Sequence, residues 1–380
     1  MVARTLKVVQ MLPDLDEGGV ERGTVEMARW LVGHGHESIV VSNGGRLVSR
    51  LLSEGSRHVR LPVGEKNPRL LRTLAPLVRL LRKGGCDVLH LRSRLPAWAA
   101  WTAMAAVPES RGPAVVSTFH GIHSVNPYSA VMARGDAVIA ISHFVADHVR
   151  ENYRVDSRRL VVIHRGFDPA HFDPDAVEES RVAALRRAWQ VGDDAPVILA
   201  PGRITRLKGH DVLLRALSAI SGMDWVAVCL GEADRDSGYF RELKALARDL
   251  GIADRVVFAG HADDMAAAYG AARVVAATSV RPEAFGRVPL EAQAMGVPVV
   301  ATAHGGFREI VAHGKTGLLV PPGDAAALGR ALGRFLADPE MAAAMGGEGR
   351  QASLGRTTDA MCGKTFAVYE KVVGEREAGG

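Results

Sequence analysis

Two glutamates eight residues apart are the first candidates for chemistry in this chain of 380 residues. Glu283 and Glu291 flank a turn at Gly286 in residues 281–291, Arg-Pro-Glu-Ala-Phe-Gly-Arg-Val-Pro-Leu-Glu, and the pattern after the turn predicts a helix over 288–295. Because carboxylates only accept hydrogen bonds, this pair is suited to bind vicinal hydroxyls, one on a ribose and one on a second sugar. The alternative interpretation is that Glu291 only caps the start of the helix.

A basic loop lies about eighty residues upstream of the glutamates. The pattern predicts a strand over 197–200, a turn at Gly202 and a helix over 208–217, with Arg203 and Lys208 between the strand and the helix. Backbone N–H groups at a helix start favour phosphate, and two cations there would be unfavourable without an anion. This loop therefore predicts a diphosphate site. A diphosphate loop and a hydroxyl-binding loop together predict an enzyme that uses nucleotide sugars.

Short apolar runs alternate with helical segments along the chain. The runs at 6–12, 38–42, 87–91, 114–118, 137–141 and 160–163 predict strands buried on both faces, with helices over 20–31, 69–82 and 143–152. After a polar stretch the pattern restarts, with runs at 197–200, 225–230, 255–258, 274–277, 297–300 and 317–320. Two series of β-α units predict an α/β chain with two doubly wound parallel sheets of the Rossmann-like type. Their ligand-binding loops are expected to face each other across a cleft.

These patterns also predict the domain boundaries. Residues 1–170 form an N-terminal, acceptor-binding domain, residues 171–190 a linker, and residues 191–355 a C-terminal domain that binds the nucleotide sugar. A last helix is predicted within 356–380. The sequence does not decide on which domain that helix packs, and a return to the N-terminal domain is one of the two options.

Positive charge is concentrated in one part of the N-terminal domain. Residues 46–111 hold thirteen Lys and Arg against four Asp and Glu, whereas the whole chain has a net charge of +5. The helix over 70–81, with Arg69, Arg72, Arg79 and Arg82, has one basic and one apolar face. An anionic acceptor or an anionic membrane surface would match this charge, and a merely solvated helix face is the alternative. The scarcity of aromatic residues argues against nucleic acid.

Composition places the chain among soluble globular proteins, with 47% apolar and 23% charged residues. The longest uncharged apolar segment, 96–107, is too short to span a bilayer. The three cysteines are far apart in sequence, which argues against a disulfide framework or a zinc site and fits a reducing cytoplasm.

Three motifs resemble the retaining glycosyltransferases of family 4, whose two-domain fold is called GT-B. They are Gly202-Arg203…Lys208-Gly209, then Glu283-Ala-Phe-Gly…Glu291-Ala-x-Ala-x-Gly-x-Pro-Val, and Gly305-Gly306-x-x-Glu309-Ile-Val…Gly314-x-Thr-Gly317-Leu-Leu-Val. The likeness extends from Gly18-Gly19 to about Phe335. Two segments, Arg-Pro-Glu-Ala-Phe-Gly-Arg-Val at 281–288 and Leu91-Arg-Ser-Arg-Leu-Pro-Ala-Trp, most resemble the enzymes of the branch that acts on bacterial lipopolysaccharide core.

This resemblance implies roles for single residues. Arg203 and Lys208 would hold the donor diphosphate, Glu291 the ribose and Glu283 the transferred sugar. His120, in Ser-Thr-Phe-His-Gly, would contact the donor sugar near its anomeric centre. The remaining implied donor contacts are Gly18 and Gly19 in the first loop, and Ala284, Phe285, Gly286, Arg287 and Val288 around the second turn.

The resemblance further implies a retaining hexosyltransferase that needs no bound metal or other cofactor. The donor would be a UDP- or GDP-sugar. The acceptor would be a hydroxyl of a lipopolysaccharide-core glycan or of a lipid-linked glycan, so that the acceptor molecule is anionic or lipid-linked. Such an enzyme would be cytoplasmic, or peripheral at the inner face of the cell membrane.

Alternatives remain at this point. A nucleotide-sugar epimerase, a phosphorylase or another GT-B enzyme would bind similar ligands, and a non-catalytic sugar-nucleotide-binding subunit would keep only part of the site. The tripeptide Asp14-Leu-Asp16 matches the metal-binding D-x-D pattern, but capping of the helix after Gly19 is the interpretation we favour.

Overall fold

A computed structural model describes residues 4–16, 18–65, 71–83, 85–108, 112–234 and 238–379. The chain divides into two compact units. The first unit consists of Met1–His164 together with Thr358–Gly380, and the second of Arg165–Thr357.

The described part of the first unit is built on a seven-stranded parallel sheet with the strand order β3-β2-β1-β4-β5-β6-β7. The order reverses between β1 and β4, as in doubly wound folds. The strands are β1 (Lys7–Met11), β2 (Glu37–Ser42), β3 (Arg57–Arg60), β4 (Val88–Leu91), β5 (Ala114–Phe119), β6 (Ala137–Ala140) and β7 (Leu160–Val162). The helices are α1 (Gly19–Gly33), α2 (Val48–Ser53), α3 (Leu71–Lys83), α4 (Arg94–Met104), α5 (Pro127–Ala130), α6 (His143–Tyr153) and α15 (Thr358–Gly379).

The described part of the second unit is built on a six-stranded parallel sheet with the order β10-β9-β8-β11-β12-β13. The strands are β8 (Val197–Pro201), β9 (Val226–Leu230), β10 (Val256–Gly260), β11 (Val274–Ala277), β12 (Val299–Thr302) and β13 (Leu318–Val320). The helices are α7 (Glu179–Ala188), α8 (His210–Ser218), α9 (Gly238–Asp249), α10 (Met265–Gly270), α11 (Arg287–Ala294), α12 (Phe307–Ile310), α13 (Ala325–Ala337) and α14 (Pro339–Ser353).

The predicted α/β fold with two Rossmann-like parallel sheets is confirmed. Strands β4, β5, β6, β11 and β12 are buried along their whole length, because helices cover both faces of each sheet. The sequence pattern missed β3. This strand lies at the sheet edge and is partly exposed, so it lacks the apolar run of the inner strands.

The observed division of the chain differs from the predicted boundaries. The segment 171–190, predicted as a linker, contains α7 and belongs to the second unit. There Arg181 donates two hydrogen bonds of 2.8 Å to the carboxylate of Asp264, the residue that caps α10. Helix α15 belongs to the first unit, where Trp30 of α1 donates a hydrogen bond of 2.8 Å to Asp359.

The predicted basic helix is present as α3, but only part of it can be described. Arg69 lies outside the described residues, and so does the side chain of Arg72. Within the described part of the chain, none of the helices combines the length and the apolar composition needed to cross a bilayer.

Candidate functional site

The basic loop of the second unit begins where the central strand β8 ends. Gly202 adopts a left-handed conformation (φ +142°), and its N–H donates a hydrogen bond of 2.8 Å to the carbonyl of Leu230. A side chain at Gly231 would place its Cβ 2.2 Å from the Gly202 carbonyl oxygen, so the loops after β8 and β9 are in direct contact. A short 3₁₀ turn (Arg206–Lys208) and Gly209 (φ +69°) then lead into α8. Lys208 is thereby fixed just before the start of a helix.

The structure brings Lys208 and Glu283 together. The Lys208 Nζ lies 2.6 Å from Oε1 of Glu283, and the Ser279 hydroxyl donates to the same oxygen at 2.6 Å. Both charged side chains are 30% exposed. Burial would raise the pKa of Glu283, but the charge of Lys208 and the hydrogen bonds from Lys208 and Ser279 outweigh it and lower the pKa. Glu283 is therefore an anion at neutral pH.

The second oxygen of Glu283 is available for a ligand. Both hydrogen bonds to the carboxylate go to Oε1, and among the described residues Oε2 has no protein partner. The Lys208 ammonium has three N–H donors, of which Glu283 takes one. This pair can therefore accept from a hydroxyl and donate to an anion at the same time.

Backbone and hydroxyl contacts hold the two loops against each other. The Thr278 hydroxyl donates to the carbonyl of Lys208 at 2.8 Å, and the Val280 N–H donates to the carbonyl of Leu207 at 2.9 Å. The carbonyl of Ser279 in turn accepts from Nε2 of His304 at 2.8 Å. Ser279 and His304 are site residues that the sequence analysis missed, because neither belongs to a glutamate or lysine motif. Each is seen only through the tertiary contact.

Gly305 and Gly306 let the loop after β12 press against the loop that carries Glu283. A Cβ at Gly305 would lie 2.4 Å from the carbonyl oxygen of Glu283, and one at Gly306 would lie 2.0 Å from the carbonyl oxygen of Phe285. The Gly306 N–H also donates to the Glu283 carbonyl at 2.8 Å. Any larger residue at these two positions would push the Glu283 loop out of place.

Glu291 is held by two neighbours rather than free in a loop. Its Oε2 accepts a hydrogen bond of 3.0 Å from the hydroxyl of Tyr269, and its Oε1 accepts from Nε and Nη2 of Arg287 at 3.2 and 3.1 Å. Tyr269 is fully buried, and burial together with the charge of Glu291 raises its pKa well above the usual value. Helix α11 begins at Arg287, so Glu291 lies in its second turn and does not cap it.

The start of α11 carries the predicted backbone donors. The first bond within the helix runs from the Leu290 N–H to the Gly286 carbonyl at 3.0 Å, and Pro289 has no N–H. The amides of Arg287 and Val288 precede that bond in the first turn of α11, the end of a helix that favours an anion. Ala284 is half-buried and Phe285 is buried at the edge of the same turn.

Arg203 makes no hydrogen bond or ion pair with Lys208 or Glu283 among the described contacts. Its side chain is exposed, and the described residues provide it with neither a hydrogen bond nor an ion pair. Two residues after Lys208, burial and the charge of Lys208 lower the pKa of His210 to about 4. His210 is therefore neutral, and it adds no charge beside the ammonium.

The other predicted site residues lie in the first unit. His120 follows the last residue of β5 and is half-buried, Gly18 precedes α1 and Gly19 is its first residue. The interpretation that the tripeptide Asp14-Leu-Asp16 caps this helix is wrong, because α1 has no side-chain cap and Asp16 instead accepts a hydrogen bond of 3.0 Å from the Arg46 N–H. The roles of His120, Gly18 and Gly19 toward a donor stay predictions.

Both units match families of known proteins. Residues 17–171 match the family described as Glycosyltransferase Family 4, and residues 182–352 match the family described as Glycosyl transferases group 1. The D-inositol 3-phosphate glycosyltransferase of Xylanimonas cellulosilytica is 30% identical to this chain, in an alignment that covers 96% of the chain and 94% of that protein. The names of such relatives point to inositol phosphate, so the narrower resemblance to lipopolysaccharide-core enzymes is not supported by them.

Solved structures show the same architecture. A glycosyltransferase from Rickettsia africae has 31% identity and a TM-score of 0.90, and the match covers 97% of this chain and 99% of that one. HepE of Anabaena, in complex with UDP and glucose, has a TM-score of 0.80 and covers 96% of this chain and 99% of its own. Its identity is 22%, so this likeness concerns the fold alone.

Proposed function

The chain belongs to the glycosyltransferases of family 4 and group 1, and from this premise we propose that it is a retaining enzyme that moves a hexose from a UDP- or GDP-sugar to an acceptor hydroxyl. The observation that carries the proposal is the pair formed by Lys208 and Glu283, 2.6 Å apart. This pair brings a cation, which would bind the leaving diphosphate, next to a carboxylate, which would bind a sugar hydroxyl, beyond the carboxyl ends of β8 and β11. These strands are neighbours in the sheet.

Lys208 and the start of α11 would stabilise the departing diphosphate. In the proposed reaction the bond between the anomeric carbon and the phosphate oxygen breaks, and its electron pair leaves with the diphosphate. The acceptor oxygen bonds to the same face of that carbon, and its proton passes to the departing phosphate oxygen. Negative charge grows on the diphosphate as the bond breaks, so fixed cations and amides act most strongly in the transition state. Arg203, exposed and unpaired among the described residues, would add a second cation.

Glu283 and Glu291 would position the two sugars of the donor. The Oε2 atom of Glu283 would accept from a hydroxyl of the transferred hexose, and Glu291, oriented by Tyr269 and Arg287, would accept from the ribose. His120 would contact the hexose near its anomeric centre. Metal independence, a cytoplasmic location and a contact of α3 with anionic membrane remain predictions of the sequence.

The acceptor is proposed from the relatives. The similar curated protein is named as a D-inositol 3-phosphate glycosyltransferase, which makes a phosphorylated polyol the first acceptor to test. A lipopolysaccharide-core or lipid-linked glycan, expected from the sequence motifs, is the second.

A donor screen tests the proposal. The melting temperature of the full chain is measured with UDP, GDP and ADP and with their sugars, with and without EDTA, since a ligand at about 100 times its Kd adds about 2.7 kcal/mol of stability. We expect one nucleotide series to stabilise the wild type and the Arg206→Met control, and not Lys208→Met. Arg206 pairs with the exposed Glu242 instead of the site, and is two residues from Lys208. Absence of any nucleotide effect would refute the proposal.

The donor found in the screen is then incubated with and without acceptor. Transfer to D-inositol 3-phosphate or to a core glycan, with retention of the anomeric configuration by NMR, would support the reaction. Conversion of the donor without acceptor would indicate an epimerase or hydrolase instead.

A further inference from the structure

A polar cavity in the first unit is lined by none of the residues that we predict to bind the donor. It has a volume of about 410 Å³ and opens at the carboxyl ends of β1, β2 and β3. Asp14 and Asp16 from the loop after β1 line it, with Asn43 from the loop after β2, and His58 and Arg60 from β3. Small-molecule sites have volumes of about 300–1,000 Å³. Parallel sheets bind their ligands beyond the carboxyl ends of the strands, which is where this cavity lies.

The walls of the cavity are fixed by direct contact of two loops. A Cβ at Gly45, where φ is +138°, would lie 2.4 Å from the carbonyl carbon of Leu15, so the loop after β2 lies on the loop after β1. Leu15 donates to the Gly44 carbonyl at 2.7 Å, and the Arg46 N–H donates to Asp16 at 3.0 Å. The backbone that carries the two aspartates and the side chain of Asp16 are therefore held in place before any ligand binds.

The polar groups in the cavity leave hydrogen-bonding capacity for a ligand. Within the described residues the half-buried Asp14 carboxylate has no hydrogen-bond or ion-pair partner, and Asp16 uses only Oδ1. The Nε of Arg60 donates to the Asn43 carbonyl at 2.9 Å, which orients the guanidinium, and the described part of the chain provides no partner for its two terminal nitrogens. Burial and the charge of Arg60 lower the pKa of His58, which is thus neutral.

The charges decide what kind of ligand fits. Among the described residues that line the cavity, two are aspartates and one is an arginine, so these residues together carry one negative charge and disfavour an anion. Carboxylates only accept hydrogen bonds and a guanidinium only donates them, whereas a hydroxyl does both. A ring with several hydroxyls can therefore donate to Asp14 and Asp16 and accept from Arg60, whereas an apolar ligand can do neither and an anion is repelled by the net negative charge.

We propose that this cavity binds an uncharged, hydroxyl-bearing ring of the acceptor, a sugar or a cyclitol. The inference rests on the proposed function and adds to it the chemical class of the group that the first unit recognises. If the acceptor carries a phosphate or another acidic substituent, that substituent lies outside the cavity.

Saturation-transfer NMR on the full chain, with saturating UDP or GDP, tests the proposal. The probes are methyl α-D-glucoside, methyl α-D-mannoside and myo-inositol, with D-glucuronate as the anionic counterpart of glucose. We expect at least one neutral probe to bind, and D-glucuronate to bind more weakly. Asp14→Asn and Arg60→Ala should each weaken the neutral probe about tenfold or more, the equivalent of one charge-assisted hydrogen bond.

Two matched variants control for charge and folding. Arg57→Ala removes an arginine from the other end of β3, and Asp147→Asn removes an exposed aspartate from α6. Both should bind the neutral probe as the wild type does, with melting temperatures measured for all four variants.

The possible results separate the two proposals. If no neutral probe binds, if D-glucuronate binds more tightly, or if Asp14→Asn and Arg60→Ala bind normally, the cavity proposal is overturned. Nucleotide binding is measured on the same samples. When it persists, such a result removes only the cavity proposal, whereas loss of nucleotide binding in the wild type would remove the proposed function.

Discussion

Replacing Tyr269 by phenylalanine removes one hydroxyl from the interior of the second unit. That hydroxyl donates a hydrogen bond of 3.0 Å to Oε2 of Glu291, and Tyr269 is fully buried. The ring stays in place, so the variant leaves packing nearly unchanged. Glu291 keeps both hydrogen bonds from Arg287 but loses the group that fixes its second oxygen.

The expected magnitude follows from this contact. A hydrogen bond to a charged group contributes about 1.5–3 kcal/mol, so unfolding should become easier by about that amount. For a unit of this size each kcal/mol lowers the melting temperature by about 2–4 °C. If Glu291 binds the ribose, its looser carboxylate should raise the donor KM about tenfold, equivalent to about 1.4 kcal/mol, with little change in kcat.

Tyr369→Phe is the matched control for this prediction. The Tyr369 hydroxyl is also fully buried and lies 2.6 Å from Nδ1 of His90, but in the first unit. Steady-state kinetics at varied donor concentration and thermal unfolding are measured for both variants. Both should be destabilised, and only Tyr269→Phe should raise the donor KM. A destabilised Tyr269→Phe with an unchanged donor KM would refute the idea that Tyr269 positions Glu291 for the donor.

Three further predictions concern the Lys208–Glu283 pair and its supporting loop. Lys208→Met should lower kcat about 100-fold or more, while Arg206→Met keeps full turnover; equal kcat values would contradict the role of the ammonium. Because the pKa of Glu283 is lowered in the folded chain, the stability it contributes is present above its ordinary pKa of 4.5 and is lost as the pH falls below that value. Between pH 7 and pH 3 the melting temperature of Glu283→Gln should therefore fall less steeply than that of the wild type. Parallel curves for the two proteins would argue against a lowered pKa of Glu283. Gly306→Ala should lower the free energy of unfolding by about 1–3 kcal/mol through overpacking and should reduce activity. Gly347→Ala is the control, because a Cβ there meets nothing within 4 Å, and it should be neutral or stabilising. Equal stability of the two variants would contradict the close loop contact.

The pattern of apolar and polar residues along the chain was sufficient to predict most of the strands and helices. Strands such as β11 (Val274–Ala277) are buried on both faces, so they appear in the sequence as continuous apolar runs between helices. The edge strand Arg57–Arg60 carries no such run, because much of it faces solvent. Helix α7 was missed for a related reason, since none of its residues is fully buried and its polar contacts with the rest of the unit include the pair of Arg181 with Asp264 and a hydrogen bond from Arg186 to the Ala271 carbonyl.

The candidate site was predictable where its chemistry is contained in one stretch of chain. Lys208 and Glu283 stand out because a charged residue beside a glycine turn, between a strand and a helix, has few structural reasons to be there. Their partners do not stand out. Ser279, His304 and Tyr269 are ordinary residues in the sequence, and their roles come only from distances across the sheet edge.

The sequence by itself therefore determined the class of the fold and the residues that carry charge at the site, because burial and turn formation are local properties of the chain. The tertiary structure decided which of those charges meet. In the structure Lys208 pairs with Glu283, and Tyr269 contacts Glu291. Asp16, which the sequence placed among the residues expected to cap a helix, lines a cavity instead. Each of these contacts joins residues that are distant along the chain or lie on different elements, and only the packing of one loop on another fixes such distances.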